Sequence, residues 1–304
     1  MLLLHALDAY LIQLQADGRS PLTIAQARRH VLLLATFLGP VKIADVRHED
    51  VARFLASDVV RKRADGGARK PSSANSLRSS LRAFMSYAHG SGLAPTNAAR
   101  LVRRARCGPS KPRGLTEGEV AKLLLAFQRA SSKANRRDAA LFGTMLRTGI
   151  RVGSAIALDV EDVDLEAGEL RLRRMKNGGE DTVYLNDEAV AVLRAWIGAR
   201  RDGPLFTARH GGRLCARMVG RRLEEMTREA GIERRVNPHM LRHTFGMAVF
   251  ERTGDVLITA RALCHKSVAS TAVYARPNAA QVRDALGEIR FHYSTVNAIA
   301  DEES

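Results

Sequence analysis

The 304-residue sequence has few aromatic side chains, few cysteines and no long apolar run. Phe, Trp and Tyr make up 5% of it, so its cores are expected to consist mainly of Leu, Val, Ala and Met. Cys107, Cys215 and Cys264 are too few and too dispersed for a disulfide framework or a zinc site, and we expect them to pack. The Leu2–Leu4 run lacks the preceding basic residues of a signal peptide. We expect a cytoplasmic protein without a membrane partner.

Acidic residues are also scarce relative to basic ones. The chain has 48 Lys and Arg against 32 Asp and Glu, a net charge of +16. Residues 1–110 hold 17 basic and 7 acidic residues, or +10, which leaves +6 for the rest. Such a chain repels itself unless a polyanion neutralises it, and nucleic acid is the usual partner because phosphate contacts release counterions. Charge therefore favours a nucleic-acid partner, and with it a nucleoid-associated location, over a ribosomal-type or merely soluble basic protein.

Hydrophobic periodicity divides the chain in two. The first 90 residues contain four amphipathic stripes at helical spacing, such as Leu3, Leu7, Leu11 and Leu14. Segment 105–114 has two prolines and two glycines, which is typical of a linker, and Thr116 with Glu119 then forms a capping box that starts a new helix. The predicted parts are a helical DNA-binding domain over 1–107, a linker over 108–114, a second domain over 115–291 and a tail over 292–304.

The second domain combines helices with a small sheet. Segments Glu169–Arg173 and Thr182–Leu185 alternate like two strands around a turn at 176–179. Gly254 and Asp255 predict a helix stop followed by an N-cap. Helices are expected near 187–200, 215–230, 239–252, 255–264, 267–275 and 277–291. The predicted fold class is therefore mainly α in two domains, with a small antiparallel sheet in the second.

Six polar residues of the second domain suggest one reaction when they are taken together. Two arginines can clamp the oxygens of one phosphate and neutralise a pentavalent phosphorane. A tyrosine phenol is a competent nucleophile if a histidine accepts its proton, and a lysine on a turn can protonate the leaving oxygen. No carboxylate cluster suits a metal, so the set indicates phosphoryl transfer through a protein–DNA ester without Mg²⁺, cofactor or nucleotide. The six residues are Arg151, Lys176, His239, Arg242, His265 and Tyr274.

Spacing supports this set in part. His239 and Arg242 are three residues apart and share one helix face. His265 and Tyr274 are nine apart, and roughly 900° of helical rotation would put them on opposite sides of one continuous helix. They can converge only if the chain breaks between them, and Ser267 is a candidate N-cap at such a break.

The motifs T-G-x-R at 148–151, a hairpin lysine, H-x-x-R at 239–242, and a histidine followed nine residues later by tyrosine resemble the tyrosine recombinase (phage integrase-like) family. The resemblance covers most of residues 115–290. The N-terminal helices resemble the family's core-binding (SAM-like) domain, and the overall plan is similar to the short Xer-like members.

The resemblance implies a role for each residue. Tyr274 would attack the scissile phosphate and form a 3′-phosphotyrosine. Arg151, Arg242 and His265 would stabilise the phosphorane, His239 would assist proton transfer from the tyrosine, and Lys176 would protonate the leaving 5′-oxygen. It also implies that both domains clamp a double-stranded recombination site, and that a homo- or hetero-tetramer forms on two such sites.

Two positions depart from the family pattern, and several jobs stay open. Ser154 stands where an acidic residue usually braces the first arginine, and Cys264 stands where glycine is usual, so it either shifts the turn or packs. The alternatives are a catalytically weak DNA-binding relative and a type IB topoisomerase-like enzyme. Within the recombinase interpretation, dimer resolution, integration or excision of a mobile element, and resolution of transposition products share the same chemistry. The basic segment 61–70 is a candidate DNA contact.

Overall fold

The computed structural model describes residues 1–63, 65–108, 113–173, 181–265, 267–271 and 273–274. It forms two compact units, Met1–Ser110 and Lys111–Ser304. The expected hairpin turn with Lys176, the expected helix over 277–291 and the tail over 292–304 lie outside the described residues. Among the described helices, none combines the length and the apolar character that a membrane crossing requires.

The described part of the first unit is helical, as the stripes predict. Leu3, Leu7, Leu11 and Leu14 are all buried on one face of the first helix. Tyr10 from the same helix packs against Phe84 in this core. The helices are α1 (Leu3–Ala16), α2 (Pro21–Leu38), α3 (His48–Ala56), α4 (Asp58–Arg61) and α5 (Pro71–Gly90).

The second unit is mixed, which confirms the expected class. Its helices are α6 (Glu117–Gln128), α7 (Lys133–Thr148), α8 (Val152–Ala157), α9 (Asp187–Ile197), α10 (Ala216–Glu229), α11 (Pro238–Thr253) and α12 (Val256–Ala262). Its strands are β1 (Val163–Asp164), β2 (Glu169–Leu172) and β3 (Asp181–Tyr184). They form one antiparallel sheet in the order β1-β2-β3, with Leu170 opposite Val183.

The caps predicted at Thr116 and at Gly254 with Asp255 are confirmed, whereas Ser267 precedes the turn at 268–270 without a side-chain cap hydrogen bond. The Thr116 hydroxyl accepts a hydrogen bond from the amide of Glu119, while the Glu119 carboxylate accepts one from the amide of Thr116. Gly254 ends α11 at φ 65°, and the Asp255 side chain accepts from the first amides of α12. The first cap fixes the start of α6, and the other two fix the end of α11, which carries His239 and Arg242, and the start of α12.

The prediction of a helix over 267–275 is wrong. The chain there forms one 3-10 turn, Val268–Ser270, and the amide of Tyr274 donates to the carbonyl of Thr271 in a further tight turn. Val268, Thr271 and Val273 are β-branched, which disfavours α-helix in this stretch. Strand β1 and helices α4 and α8 were not predicted because each is only two to six residues long.

The cysteines were expected to pack, and only one does so. Cys107 and Cys215 are exposed, while Cys264 is buried. Cys264 has φ 48°, so it occupies the left-handed region that favours glycine. The backbone at this position therefore explains why glycine is usual there, and the cysteine keeps the turn while its side chain packs into the core.

Candidate active site

Arg151 is placed by a sharp change of direction after α7. Gly149 ends this helix in the left-handed conformation at φ 62°, and a Cβ at that position would collide with the ring of Phe245. Arg151 follows as the N-cap residue of α8, and it is exposed. A glycine is thus required immediately before the segment that presents the first arginine.

Arg242 is the most buried of the candidate residues, at 2% exposed. Its guanidinium donates one hydrogen bond to the carbonyl oxygen of Gly149 and another to that of Leu263, each at 2.5 Å. Burial, together with the positive charge of Arg151, lowers the pKa of Arg242 to about 10. The side chain stays charged at neutral pH and ties the Arg151 segment to the end of α12.

The start of α11 presents His239. The Asn237 side chain accepts hydrogen bonds from the amides of His239 and Met240, and Pro238 occupies the first turn. Although the His239 side chain is exposed, partial desolvation by the surrounding protein lowers its pKa, and the charges of Arg242 and Arg151 add to the effect. His239 is therefore neutral at pH 7.

His265 lies just beyond α12, where Cys264 turns the chain. Its Nδ1 is 2.8 Å from the hydroxyl oxygen of Thr271, a residue that is fully buried. Burial first, and then the charges of Arg242 and Arg151, lower the pKa of His265 to about 4. The ring is neutral at pH 7, and its orientation is fixed by Thr271.

Tyr274 returns to α11 because the chain breaks between it and His265, as the spacing required. This tyrosine is 9% exposed, and its hydroxyl oxygen lies 2.8 Å from Nδ1 of His243. Burial raises the pKa of the Tyr274 phenol, while the charge of Arg242 acts in the opposite direction. The structure thus brings the phenol to the helix that carries His239 and Arg242.

His243 was not among the predicted site residues. It follows Arg242 directly and is four residues after His239, so the two histidines share a helix face, and their ring centroids are 4.4 Å apart. This i, i+4 spacing was the available signal. Thr271 was also missed, since its contact with His265 depends on the 3-10 turn.

The two departures from the family pattern lie beside Arg242. Ser154 lines a cavity of about 10 Å³ together with Arg151, Arg242 and Cys264. The Cys264 thiol contacts Asp181 at the start of β3, and burial followed by this carboxylate raises the thiol pKa to about 11. Asp181 also accepts a hydrogen bond from Arg261, so it links β3 to α12.

The structure brings together the described candidates Arg151, His239, Arg242, His265 and Tyr274, while Lys176 lies outside the described residues. Arg242 donates hydrogen bonds to the carbonyls of Gly149 and Leu263. Its charge lowers the pKa of His239, His265 and Tyr274. Such a set, a phenol among neutral imidazoles and guanidinium groups, can attack a phosphodiester and stabilise the negative charge that develops.

Comparison with known proteins gives consistent results for both units. The model of the Phage integrase family matches residues 113–281, and that of the Phage integrase, N-terminal SAM-like domain matches residues 7–92. The tyrosine recombinase XerC of Chromobacterium violaceum is 31% identical over 274 residues, which cover 89% of this chain and 89% of XerC.

Solved structures share the fold. A lambda integrase(75-356) dimer bound to a COC' core site has a TM-score of 0.73 at 20% identity, covering 92% of this chain and 97% of that one. A lambda integrase tetramer bound to a Holliday junction has a TM-score of 0.69 at 20% identity, covering 88% of this chain and 78% of that one.

Proposed function

This chain belongs to the phage integrase family of tyrosine recombinases, and from that premise we propose that Tyr274 is the nucleophile with which it cuts and rejoins duplex DNA. The observation that carries the proposal is the position of the Tyr274 hydroxyl, on α11 beside neutral histidines and within the electrostatic influence of Arg242. Tyr274 forms a 3′-phosphotyrosine and releases a 5′-hydroxyl. The ester conserves the bond energy, so rejoining needs no nucleotide.

The proposed roles of the other residues follow from their charge and exposure. Arg151 is exposed and available to a phosphate, and Arg242 beside it stays charged at neutral pH. Together with His265 they stabilise the phosphorane. His239 assists removal of the phenolic proton, and Lys176 protonates the leaving 5′-oxygen.

DNA is the proposed partner, with both units contributing phosphate contacts. The net charge of +16 supports this, as do the DNA-bound lambda integrase structures of the same fold. A tetramer on two sites is proposed because the lambda integrase relative is a tetramer on a Holliday junction. The domain limits at 107, 115 and 291 stay predictions.

The nucleophile can be tested by letting the protein select its own target site. The protein is incubated with fragmented genomic DNA from its source, and detergent-resistant protein–DNA adducts are isolated and sequenced. The expected result is an adduct at a defined sequence, and Tyr274→Phe should lower its yield by at least about 10³-fold because no other group replaces a lost nucleophile. The recovered sequence also identifies the job, whether dimer resolution, element integration or excision, or transposition resolution.

Two other tyrosines make the test specific, one as a control and one as an alternative nucleophile. Tyr184→Phe changes an exposed residue of β3 and should leave the adduct yield unchanged. Tyr293, which follows His292 near the end of the sequence, is the other tyrosine that could act as a nucleophile. Dependence of the adduct on Tyr293, tested with Tyr293→Phe, would contradict the proposal. No adduct with the unaltered protein would instead indicate a pure DNA binder, and relaxation of plasmids that lack any recovered site would indicate a topoisomerase.

A further inference from the structure

We infer that His243 docks the Tyr274 hydroxyl and is the first acceptor of its proton when the tyrosine attacks. This inference rests on the proposed function of Tyr274 and adds a residue to it. The carrying observation is that the phenolic oxygen lies 2.8 Å from Nδ1 of His243.

The hydrogen bond has one direction that fits both partners. Among the described residues, Nδ1 of His243 is the single hydrogen-bond partner of the phenol, and a buried phenolic O–H requires an acceptor. A neutral imidazole has one nitrogen without a hydrogen. The phenol therefore donates to Nδ1, and Nε2 carries the imidazole hydrogen.

Burial and the surrounding charges keep the ring of His243 neutral. Burial is the first cause that lowers the His243 pKa, and His239 and Arg242 on the same helix lower it further. His265 is the third imidazole that interacts with this ring. A ring with a pKa below its ordinary value is unprotonated at neutral pH and ready to accept.

The ring of Tyr274 also packs closely against α11, beside Gly246. Gly246 lies one helical turn after His243, and a Cβ there would stand 2.8 Å from Cζ of Tyr274 and 3.0 Å from a methyl carbon of Leu263. No side chain fits at this position while the phenol is docked. In this position the rings of Tyr274 and His243 make an angle of 63°, and their centroids are 5.7 Å apart.

A bond forms between the Tyr274 oxygen and phosphorus as the bond from phosphorus to the 5′-oxygen breaks. The phenolic proton moves to Nδ1 of His243, which becomes an imidazolium, and the 5′-oxygen takes a proton from the acid, proposed to be Lys176. His239, whose ring meets that of His243 edge-on, then acts on the proton through His243 rather than by touching the phenol.

The docking is tested on the free protein by NMR of tyrosine labelled with ¹³C at Cζ. The Tyr274 signal, assigned with Tyr274→Phe, should shift in His243→Ala and in Gly246→Ala. It should stay in place in His210→Asn, which alters an exposed histidine, and in Gly220→Ala, whose Cβ has open space. An unmoved signal in His243→Ala overturns the inference. This arm uses no DNA, so its outcome is independent of the proposed function.

The proton transfer is tested by single-turnover cleavage of the duplex recovered from the adducts. His243→Asn keeps an acceptor near the position of Nδ1 but cannot take the proton, and it should cleave about 10²- to 10⁴-fold more slowly. While Lys176 stays protonated, the rate of His243→Asn should rise with pH as hydroxide replaces the base. Over the same pH range, the rate of the unaltered protein should fall toward acidic pH, where His243 protonates. Imidazole in the buffer should partly restore His243→Ala.

A sulfur at the bridging 5′ position separates the base from the acid, because a thiolate leaves without a proton. This substrate should restore Lys176→Ala but not His243→Asn. Cleavage by His243→Asn at the rate of His210→Asn, or its restoration by the sulfur substrate, would overturn the inference. Adduct formation by the unaltered protein that is lost in Tyr274→Phe would show that the role of Tyr274 stands in that case.

Discussion

Arg151 and Arg242 carry the same charge, but the fold holds them in different ways. Arg242 is buried and donates to two backbone carbonyls, while Arg151 is exposed at the N-cap of α8. A buried carbonyl that loses its donor costs free energy, whereas a solvated side chain can be truncated cheaply. Loss of Arg242 should therefore reduce both stability and cleavage, whereas loss of Arg151 should reduce cleavage alone.

Replacement of each arginine by alanine tests this difference. Arg242→Ala should lower the free energy of unfolding of the second unit by about 3 kcal/mol, since it leaves two carbonyls without a donor. Arg151→Ala should change it by less than about 0.5 kcal/mol. Both should abolish cleavage. Trp196 is the sole tryptophan and lies in the second unit, so its fluorescence during urea unfolding reports on that unit. Equal loss of stability in both variants would contradict the distinction.

Most of the candidate residues could be chosen from sequence because the phosphate chemistry restricts the residue types. His243 could have been added, since its spacing from His239 puts the two on one face. The partners of Arg242 could not, because the carbonyls of Gly149 and Leu263 belong to segments 93 and 21 residues away. Because every residue has a backbone carbonyl, the sequence does not show which carbonyls accept a hydrogen bond.

At the scale of elements, α11 carries His239, Arg242 and His243, and its neighbour α6 is tied to the segment just before it. Arg234 pairs with Glu119 and donates to the carbonyl of Gly114, and the amide of Leu115 donates to the hydroxyl of Thr244 within α11. The hydrogen bond from Arg234 is the main cause that lowers the pKa of Glu119 to about 2.

This pair should make stability depend on acid pH. Because the Glu119 pKa is lower in the folded than in the unfolded state, its contribution is complete above about pH 4.5 and is lost as the pH falls toward 2. Arg234 is 40% exposed, so water screens the pair, and we expect about 1 to 2 kcal/mol. Urea unfolding followed by Trp196 fluorescence should show Glu119→Gln less stable than the unaltered protein at pH 7, with a smaller difference at pH 3.

Glu166→Gln is the control for this prediction. Its side chain is 87% exposed and pairs with Arg194 at 3.2 Å, so its effect should be small at both pH values. A Glu119→Gln deficit that is the same at pH 3 and pH 7 would mean that packing, rather than charge, is the contribution of Glu119.

Long elements were predictable from periodicity and caps, and short ones were not. Strands β2 and β3 were placed to within one residue because the alternation and the turn residues agree. The 267–275 stretch failed because its polar and β-branched residues were assigned to a helix. Hydrogen bonding to His265 and docking on α11 determine that segment, and both are contacts distant in sequence.

At the scale of the whole molecule, positive charge should dominate DNA affinity. If about 6 to 10 phosphates are contacted, affinity for a random-sequence duplex should fall about 10³- to 10⁵-fold between 50 and 200 mM salt. The measurement uses Tyr274→Phe, so that cleavage does not disturb the binding equilibrium. A salt-independent affinity would show that the net charge of +16 is not engaged with the phosphates.

The division into two units and the excess charge of the first were readable from composition, and the structure gives the second unit its own core. Individual DNA contacts were not. Within the basic segment 61–70, Lys62 pairs with Asp58, and Arg69 donates to the carbonyl oxygens of Val59 and Lys62. Part of this charge is thus engaged internally, and its contact with DNA stays a prediction.

The two hydrogen bonds of Arg242 to backbone carbonyls have a consequence for the order in which the site is completed during synthesis. During synthesis the Gly149 carbonyl emerges first, the guanidinium follows 93 residues later, and the Leu263 carbonyl and the phenol come last. A chain that ends before residue 274 therefore lacks the proposed nucleophile, and one that ends before Leu263 also lacks a carbonyl partner of Arg242. With Tyr274 as the proposed nucleophile, a chain that ends before this residue should not cut DNA.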